Sequence, residues 1–278
     1  MDNPLRLLTP EEINVYHRDG AIRARQVMPH IWIERMAAAV DRIIASPGRF
    51  GQQLSNQDRG FTHDVYMHTF DEDFRAFVFE SPAALLINQL LRAKTVRFFY
   101  DQLFAKEPGS PVPTPWHHDL TFWPIEGQQI GSIWMPLDPV TRASSGVEYI
   151  RGSHLWLNRF KTMGNGKDGQ AVEIWPQPGL EDVPDIEAHR DKYEIISWDF
   201  APGDVLFFHP CTLHGSSGNA STTQRRRAFA SRWLGDDVVF TNAPSTWLFP
   251  NTHGLKPGDP VNGPLFPVVL EKKNQHTS

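Results

Sequence analysis

Apolar residues recur with two different periods along this chain, and the change falls near Lys94. Before it the spacing is helical. Thr9 is placed to cap a first helix, with Pro10 at its first position, Glu12 closing a capping box and Gly20 at its end. A second helix is predicted over 30–45, with Ile33, Met36, Val40 and Ile43 on one face and a stop at Ser46-Pro47-Gly48. A third is predicted from Ser81-Pro82 and carries Leu85, Leu86 and Leu90. From Thr95 to Lys106 the period becomes two, and Phe98, Tyr100, Gln102 and Phe104 fall on one face of a predicted strand. Further strands are predicted at 130–137, 146–150, 193–200, 203–209 and 226–234, divided by Pro, Gly and Asp turns. Helices followed by many short strands predict a mainly β chain, a sandwich or barrel with flanking N-terminal helices.

The stretch 161–192 breaks this pattern. It is rich in Gly, Pro and charge, with Trp175 as its one large aromatic. A loop of that length in a compact domain reads as a lid or binding loop, the alternative being a solvated insertion. The expected organisation is one domain over 1–278. A helical wrapper covers 1–94, the β core with its insertion covers 95–236, and an extension over 237–278 ends in a loose polar tail from Glu271.

Composition narrows the function classes. An apolar share of 40% with nine tryptophans is enough for a sizeable core. A net charge of −5 offers no general attraction to nucleic acid or an anionic membrane, so neither is expected as a partner. Cys211 is the one cysteine, which excludes an intramolecular disulfide and suits a reducing cytoplasm. The N-terminal residues hold no apolar signal-peptide core, and no run of apolar residues is long enough to span a membrane. Oligomeric state is not legible.

The chemistry lies in Trp116-His117-His118-Asp119 and Leu213-His214-Gly215-Ser216. Two imidazoles and one carboxylate in the order His-x-Asp…His can hold one face of an octahedral iron(II) and leave three positions for a co-substrate and O2. The chain holds 12 histidines and three His-x-Asp pairs, His17/Asp19, His117/Asp119 and His189/Asp191. His17 closes a predicted helix, where residues two apart point about 200° from each other. His189/Asp191 stands too near His214, with two predicted strands filling the gap. His117/Asp119 follows the long strand, and on an extended segment positions i and i+2 share a face. For the distal ligand His214 competes with His209, which lies on the opposite side of one extended segment. The small residues Gly215, Ser216 and Ser217 favour His214. His118 points away from the metal face, as a surface or supporting residue.

Iron chelated by the keto acid end of 2-oxoglutarate would leave that molecule's distal carboxylate in need of a buried cation. Arginine supplies a bidentate fork for it. Arg225-Arg226-Arg227 opens the predicted strand 226–234, and alternation groups Arg226, Ala228 and Ala230 on one face, against Arg225, Arg227 and Phe229 on the other. The small residues beside Arg226 leave room for a co-substrate. At least one of the three arginines is expected to face solvent.

These residues resemble the phytanoyl-CoA dioxygenase family of Fe(II)/2-oxoglutarate oxygenases. The resemblance runs over about 95–236, with weaker similarity in the N-terminal helices and the C-terminal segment. It rests on Asp101-Gln102-Leu103-Phe104, Lys106-Glu107-Pro108-Gly109, Trp116-His117-His118-Asp119, Trp134 within IWMPLDP, Gly152-Ser153-His154, Gly203-Asp204, His209, His214-Gly215-Ser216, Asn219 and Arg226-Arg227-Ala228. It implies a double-stranded β-helix, a jelly-roll or cupin-like barrel, with iron on His117, Asp119 and His214. It also implies that Arg226 binds the distal carboxylate of 2-oxoglutarate, with Trp134 and Ser216 lining the co-substrate and Gln102 a further contact. One extra residue between His214 and the arginine, relative to many members, keeps Arg225 as the alternative. Some relatives that halogenate carbon have a small residue where Asp119 stands, so Asp119 implies hydroxylation, or another oxidation such as desaturation or cyclisation.

The resemblance implies that 2-oxoglutarate is cleaved to succinate and carbon dioxide while an unactivated C–H of a small molecule is oxidised, with no catalytic residue needed beyond the metal ligands. Two other readings suit the same ligands: a zinc hydrolase or isomerase on a cupin barrel, and a non-catalytic cupin-like binding protein. Phe98, Tyr100, Phe104, Phe122, Trp123 and Trp175 are candidates for an apolar pocket wall or for core. No basic cluster marks an entrance for a coenzyme A thioester, so a free small molecule is the expected substrate.

Overall fold

The strand at the change of period, Thr95–Lys106, lies inside the larger of two sheets. A computed structural model describes residues 1–166, 170–242 and 254–272; most of the polar tail expected from Glu271 lies outside them. The larger sheet runs in the order Ala21–Ala24, Val205–Phe208, Ile130–Pro136, Arg226–Leu234, Thr95–Lys106 and Val268–Glu271, with Phe61–Val65 also paired to Thr95–Lys106. The smaller runs Ile195–Ser197, Glu148–Ile150, His214–Ser216 and Thr114–His117. Every pairing in both is antiparallel. Side chains from both sheets line one cavity, so the fold is the expected double-stranded β-helix.

The helices cover the outer face of the larger sheet. The first, Pro10–Asp19, has its capping box: Glu12 N–H donates to Thr9 Oγ1 and Thr9 N–H to Glu12 Oε2. Gly20 closes it at φ 83°, a left-handed conformation that costs glycine little. His30–Ala45 buries the four predicted residues Ile33, Met36, Val40 and Ile43. Ala83–Leu91 buries Leu86 and Leu90, with Leu85 half-buried. Glu72–Glu80 has no counterpart in the sequence reading; Asp71 caps it by accepting from Asp73 N–H and Phe74 N–H. Phe74 and Phe77 of this helix meet Phe229 edge-on, at ring-centroid distances of 5.3 and 4.8 Å. Residues 1–94 also contribute the strands Ala21–Ala24 and Phe61–Val65, so the wrapper is tied into the sheet it covers.

Alternation sorts the two faces. Phe229 and Trp233 pack outward under the helices, whereas Ala228 and Ala230 pack inward beside Trp134, Leu206 and Phe208. One expectation fails on the long strand. Phe98 was expected to share a face with Tyr100, Gln102 and Phe104. The register with Arg226–Leu234 passes from Arg232↔Tyr100 to Trp233↔Phe98, so Phe99 is an extra residue, a β-bulge. Phe98 therefore turns out to Trp233 in the outer core, while the other three line the cavity. In the 161–192 insertion, Met163–Asn165 pairs with Ala171–Glu173 as a small hairpin over the cavity.

Phe229 has no exposed surface and joins a helix to the central sheet. Phe229→Ala should lower unfolding free energy by about 3–5 kcal/mol, measured by chemical denaturation.

Candidate metal centre and anion socket

His117 and His214 face each other as paired residues on neighbouring strands of the smaller sheet. Asp119 reaches the same point by a different route from the one expected. The strand ends at His117, and Asp119 has helical angles, φ −70° and ψ −34°, at the start of the short turn Leu120–Phe122. A turn rather than strand alternation brings the carboxylate round. His117 Nε2 lies 3.5 Å and His214 Nε2 3.8 Å from Asp119 Oδ1.

Each imidazole is fixed in one tautomer. His117 Nδ1 donates to the Pro115 carbonyl at 2.7 Å and His214 Nδ1 to the Thr212 carbonyl at 2.9 Å. Both Nε2 atoms therefore present lone pairs. Tyr149 stacks on the His214 ring at 5.4 Å, and Phe122 meets the His117 ring edge-on at 5.6 Å. Burial, with the neighbouring His117, pushes His214 down to about 3, so it is neutral at ordinary pH. Burial acts to raise the Asp119 carboxyl, but it is held below the usual carboxylate range, the Arg232 guanidinium being the largest opposing cause. Two imidazole nitrogens and a carboxylate oxygen thus converge, all within 4.8 Å of one another. That arrangement calls for a cation, and an N,N,O set suits iron(II).

The other histidines go elsewhere. His209 Nδ1 accepts from Cys211 N–H, and its ring lies beside His154. His118 is not at the surface: it is buried and accepts from Phe160 N–H through Nε2. Asp19 pairs with Arg18 and Arg151.

Arg226 enters the cavity; its neighbours do not. Arg225 pairs with Glu107 and Asp41, and Arg227 with Asp138 and Asp41, on the outer side. Arg226 is 2% exposed and lies 5.9 Å over the Trp134 ring. It donates to Ser145 Oγ at 3.1 Å, and its buried Nε finds no partner. Beside it sits Lys106, with no exposed surface, donating to Ser145 Oγ at 3.0 Å, Ser216 Oγ at 3.1 Å and the Ser217 carbonyl at 2.8 Å. Burial lowers both pKa values: Arg226 falls to about 10, and Lys106 falls well below its ordinary value with Arg226 adding to the effect. Arg226 and Lys106 thus share the Ser145 hydroxyl, and an anion would complete the socket. Ser145 holds the shared position at φ 69°, an unfavourable conformation for serine.

A third cation, Arg232, is 2% exposed at the metal end. Its Nη2 lies 3.4 Å from Asp119 Oδ2 and donates to Gln102 Oε1 at 3.0 Å. Tyr100, Trp123 and Phe208 surround the guanidinium at 5.5–5.8 Å. The cavity has a volume of about 270 Å³ and brings together all seven residues singled out by the sequence: His117, Asp119, His214, Arg226, Trp134, Ser216 and Gln102. Lys106, Ser145, Arg232 and His63 were missed. Lys106 continues the Gln102–Phe104 face, and Arg232 continues Arg226–Ala228–Ala230, so extending each alternation by one step would have found both.

The sequence profile described as phytanoyl-CoA dioxygenase (PhyH) matches residues 16–228. The 1-deoxypentalenic acid 11-beta-hydroxylase of Streptomyces arenae is 27% identical over 48% of this chain and 43% of its own length. The peroxisomal phytanoyl-CoA dioxygenase of Homo sapiens is 21% identical over 88% of this chain and 73% of its own. The first of these is thus matched over less than half its length. Among solved structures, the non-heme alpha ketoglutarate dependent carbocyclase SnoK from nogalamycin biosynthesis superposes with a TM-score of 0.74 at 21% identity, covering 95% of this chain and 97% of its own. That likeness carries the fold. The profile match runs from the first helix into the strand that bears Arg226 and takes in well over half the residues, and on it the chain belongs to the phytanoyl-CoA dioxygenase family.

Proposed function

We propose that this chain is an iron(II)- and 2-oxoglutarate-dependent dioxygenase that oxidises an unactivated C–H of a small organic molecule. The observation that carries this reading is the cavity's two ends. Three possible ligand atoms converge at one, and at the other stands Arg226, backed by Lys106, with no carboxylate hydrogen-bonded to either among the described residues. A dicarboxylic co-substrate spans such a pair of sites. A zinc hydrolase would use the metal ligands and leave the two cations without a purpose.

His117, Asp119 and His214 would hold iron(II), which with 2-oxoglutarate and O2 supplies an oxidant for C–H bonds and yields succinate and carbon dioxide. Asp119 would ligate through Oδ1, because Arg232 attracts Oδ2. Arg226 and Lys106 would clamp the distal carboxylate, with Ser145 and Ser216 fixing the direction of their N–H groups and Trp134 flanking it. The pair makes Arg226 the co-substrate arginine in preference to Arg225. Gln102, with both amide ends engaged inside the protein, supports the site rather than binding the co-substrate. Phe104, Phe122, Trp123 and Trp175 line the remaining space and suit an apolar substrate. The paired strands Met163–Asn165 and Ala171–Glu173 act as its lid, supported by Asn165 donating to the Pro113 carbonyl and Gln177 to the Thr121 carbonyl. A cytoplasmic location suits an iron(II) enzyme whose one cysteine is buried and free.

Anaerobic addition of iron(II) and 2-oxoglutarate should give a weak visible charge-transfer band. Arg226→Met should weaken 2-oxoglutarate by about 30-fold or more, the low end of the ~2–5 kcal/mol for a buried charge pair, while metal-induced thermal stabilisation persists. His214→Ala should lose both. A wild type without the band would overturn the assignment.

Lys106 also bears on stability. Its pKa is lowered on folding, so below 10.5 the folded state binds fewer protons than the unfolded chain, and this residue's contribution to stability rises with pH across that window. Lys106→Met should flatten that rise, leave the ligand-free protein as stable or up to about 1–4 kcal/mol more stable, and weaken 2-oxoglutarate. Denaturation series from neutral pH to pH 10, with and without 2-oxoglutarate, check all three.

A further inference from the structure

Gln102 links the metal end of the cavity to a histidine that the reading above leaves without a role. A guanidinium has only hydrogens to offer, so Arg232 Nη2 selects the oxygen of the Gln102 amide, at 3.0 Å. The amide nitrogen then faces His63 Nε2 at 2.7 Å, and it too has only hydrogens to offer. His63 Nε2 must be the acceptor. Burial, with the Arg232 charge adding to it, lowers His63 to about 4, so the ring is neutral at ordinary pH and carries its single hydrogen on Nδ1.

The ring's position is equally constrained. His63 sits on the strand Phe61–Val65, paired with Phe104, and stacks on the Phe104 ring at 5.0 Å and 17°. It lines the cavity, and Nδ1 makes no hydrogen bond among the described residues, although it is not sealed from access as the buried unpaired atoms are. Asp119, Arg232, Gln102 and His63 thus form a chain of fixed polarity. It starts at Asp119 and ends in one N–H without a partner among the described residues, on a cavity wall that His63 shares with Phe61 and Phe104.

We propose that His63 Nδ1–H is a specificity-determining donor that receives a hydrogen-bond-accepting oxygen of the substrate and so sets which C–H faces the metal. The inference rests on the oxygenase reading for the word substrate; the polarity of the chain does not. It selects oxygenated molecules, ketones, ethers or carboxylates, over hydrocarbons of the same shape. It also selects against groups that can only donate.

Long-range 1H–15N spectra of the histidine-labelled protein, loaded with Zn(II) and 2-oxoglutarate and assigned with His63→Phe, read the tautomer directly. In the wild type His63 should be protonated on Nδ1 and bare on Nε2. Gln102→Glu keeps the Arg232 contact but ends the chain in an acceptor, so the hydrogen should move to Nε2. Titration with cyclohexanone, which can only accept, should shift the Nδ1 signal in the wild type and leave it unmoved in Gln102→Glu. His63→Phe keeps the stacking surface and should hold 2-oxoglutarate affinity to within about twofold, under 0.5 kcal/mol. A wild-type hydrogen on Nε2, or an Nδ1 signal indifferent to the ketone, overturns the proposal. A tenfold loss of 2-oxoglutarate affinity in His63→Phe would overturn it differently, by placing the ring on the co-substrate. Failure of the oxygenase reading shows separately, as a missing iron(II)–2-oxoglutarate band in a wild type whose His63 tautomer is as expected.

Discussion

The register between two central strands decides where every cation in the cavity stands. Arg226–Leu234 runs antiparallel to Thr95–Lys106 with Arg226 opposite Lys106, Ala228 opposite Phe104, Ala230 opposite Gln102 and Arg232 opposite Tyr100. The inward face of this one pair of strands therefore holds two positive charges at one end and a third at the other, with two methyl groups between. A slip of one residue would send the whole set to the outer face, into the helices. The bulge at Phe99 falls just beyond Arg232, so the outer aromatic packing of Phe98 on Trp233 is reached without disturbing that register.

Such a cavity is expensive. Arg226, Arg232 and Lys106 are all buried, with unpaired N–H groups on the arginines and a serine held at positive φ between Arg226 and Lys106. Each feature alone works against folding. The opposite face offsets them: Phe74, Phe77, Phe98, Phe229 and Trp233 interlock edge to face there, with Met36, Val40 and Ile87 in the same fully buried cluster. The helices that seem remote from the chemistry hold the sheet firm enough to carry uncompensated charge on its inner side.

Much of this was legible in order along the chain. The shift from helical to alternating spacing located the long strand to the residue, and the capping pattern at Thr9, Pro10, Glu12 and Gly20 located the first helix. Arg226 was separable from Arg225 and Arg227 because alternation is strict in a strand that pairs on both sides. What escaped was set by local departures from regular geometry. Nothing in the spacing of His117 and Asp119 distinguishes a strand from a strand that turns helical after His118. The extra residue at Phe99 is visible only against its partner strand. Ser145 matters because of where a turn points its hydroxyl, and His63 because of a partner 39 positions away.

The depth of the anion socket has a consequence in time. Lys106 and Arg226 are almost wholly buried, while half-buried Trp175 stands against Phe122, whose ring meets that of His117. One cavity of about 270 Å³ holds both Arg226 and these aromatic rings. On the proposed reading two molecules would share that space, so the arrival and departure of each would depend on the other.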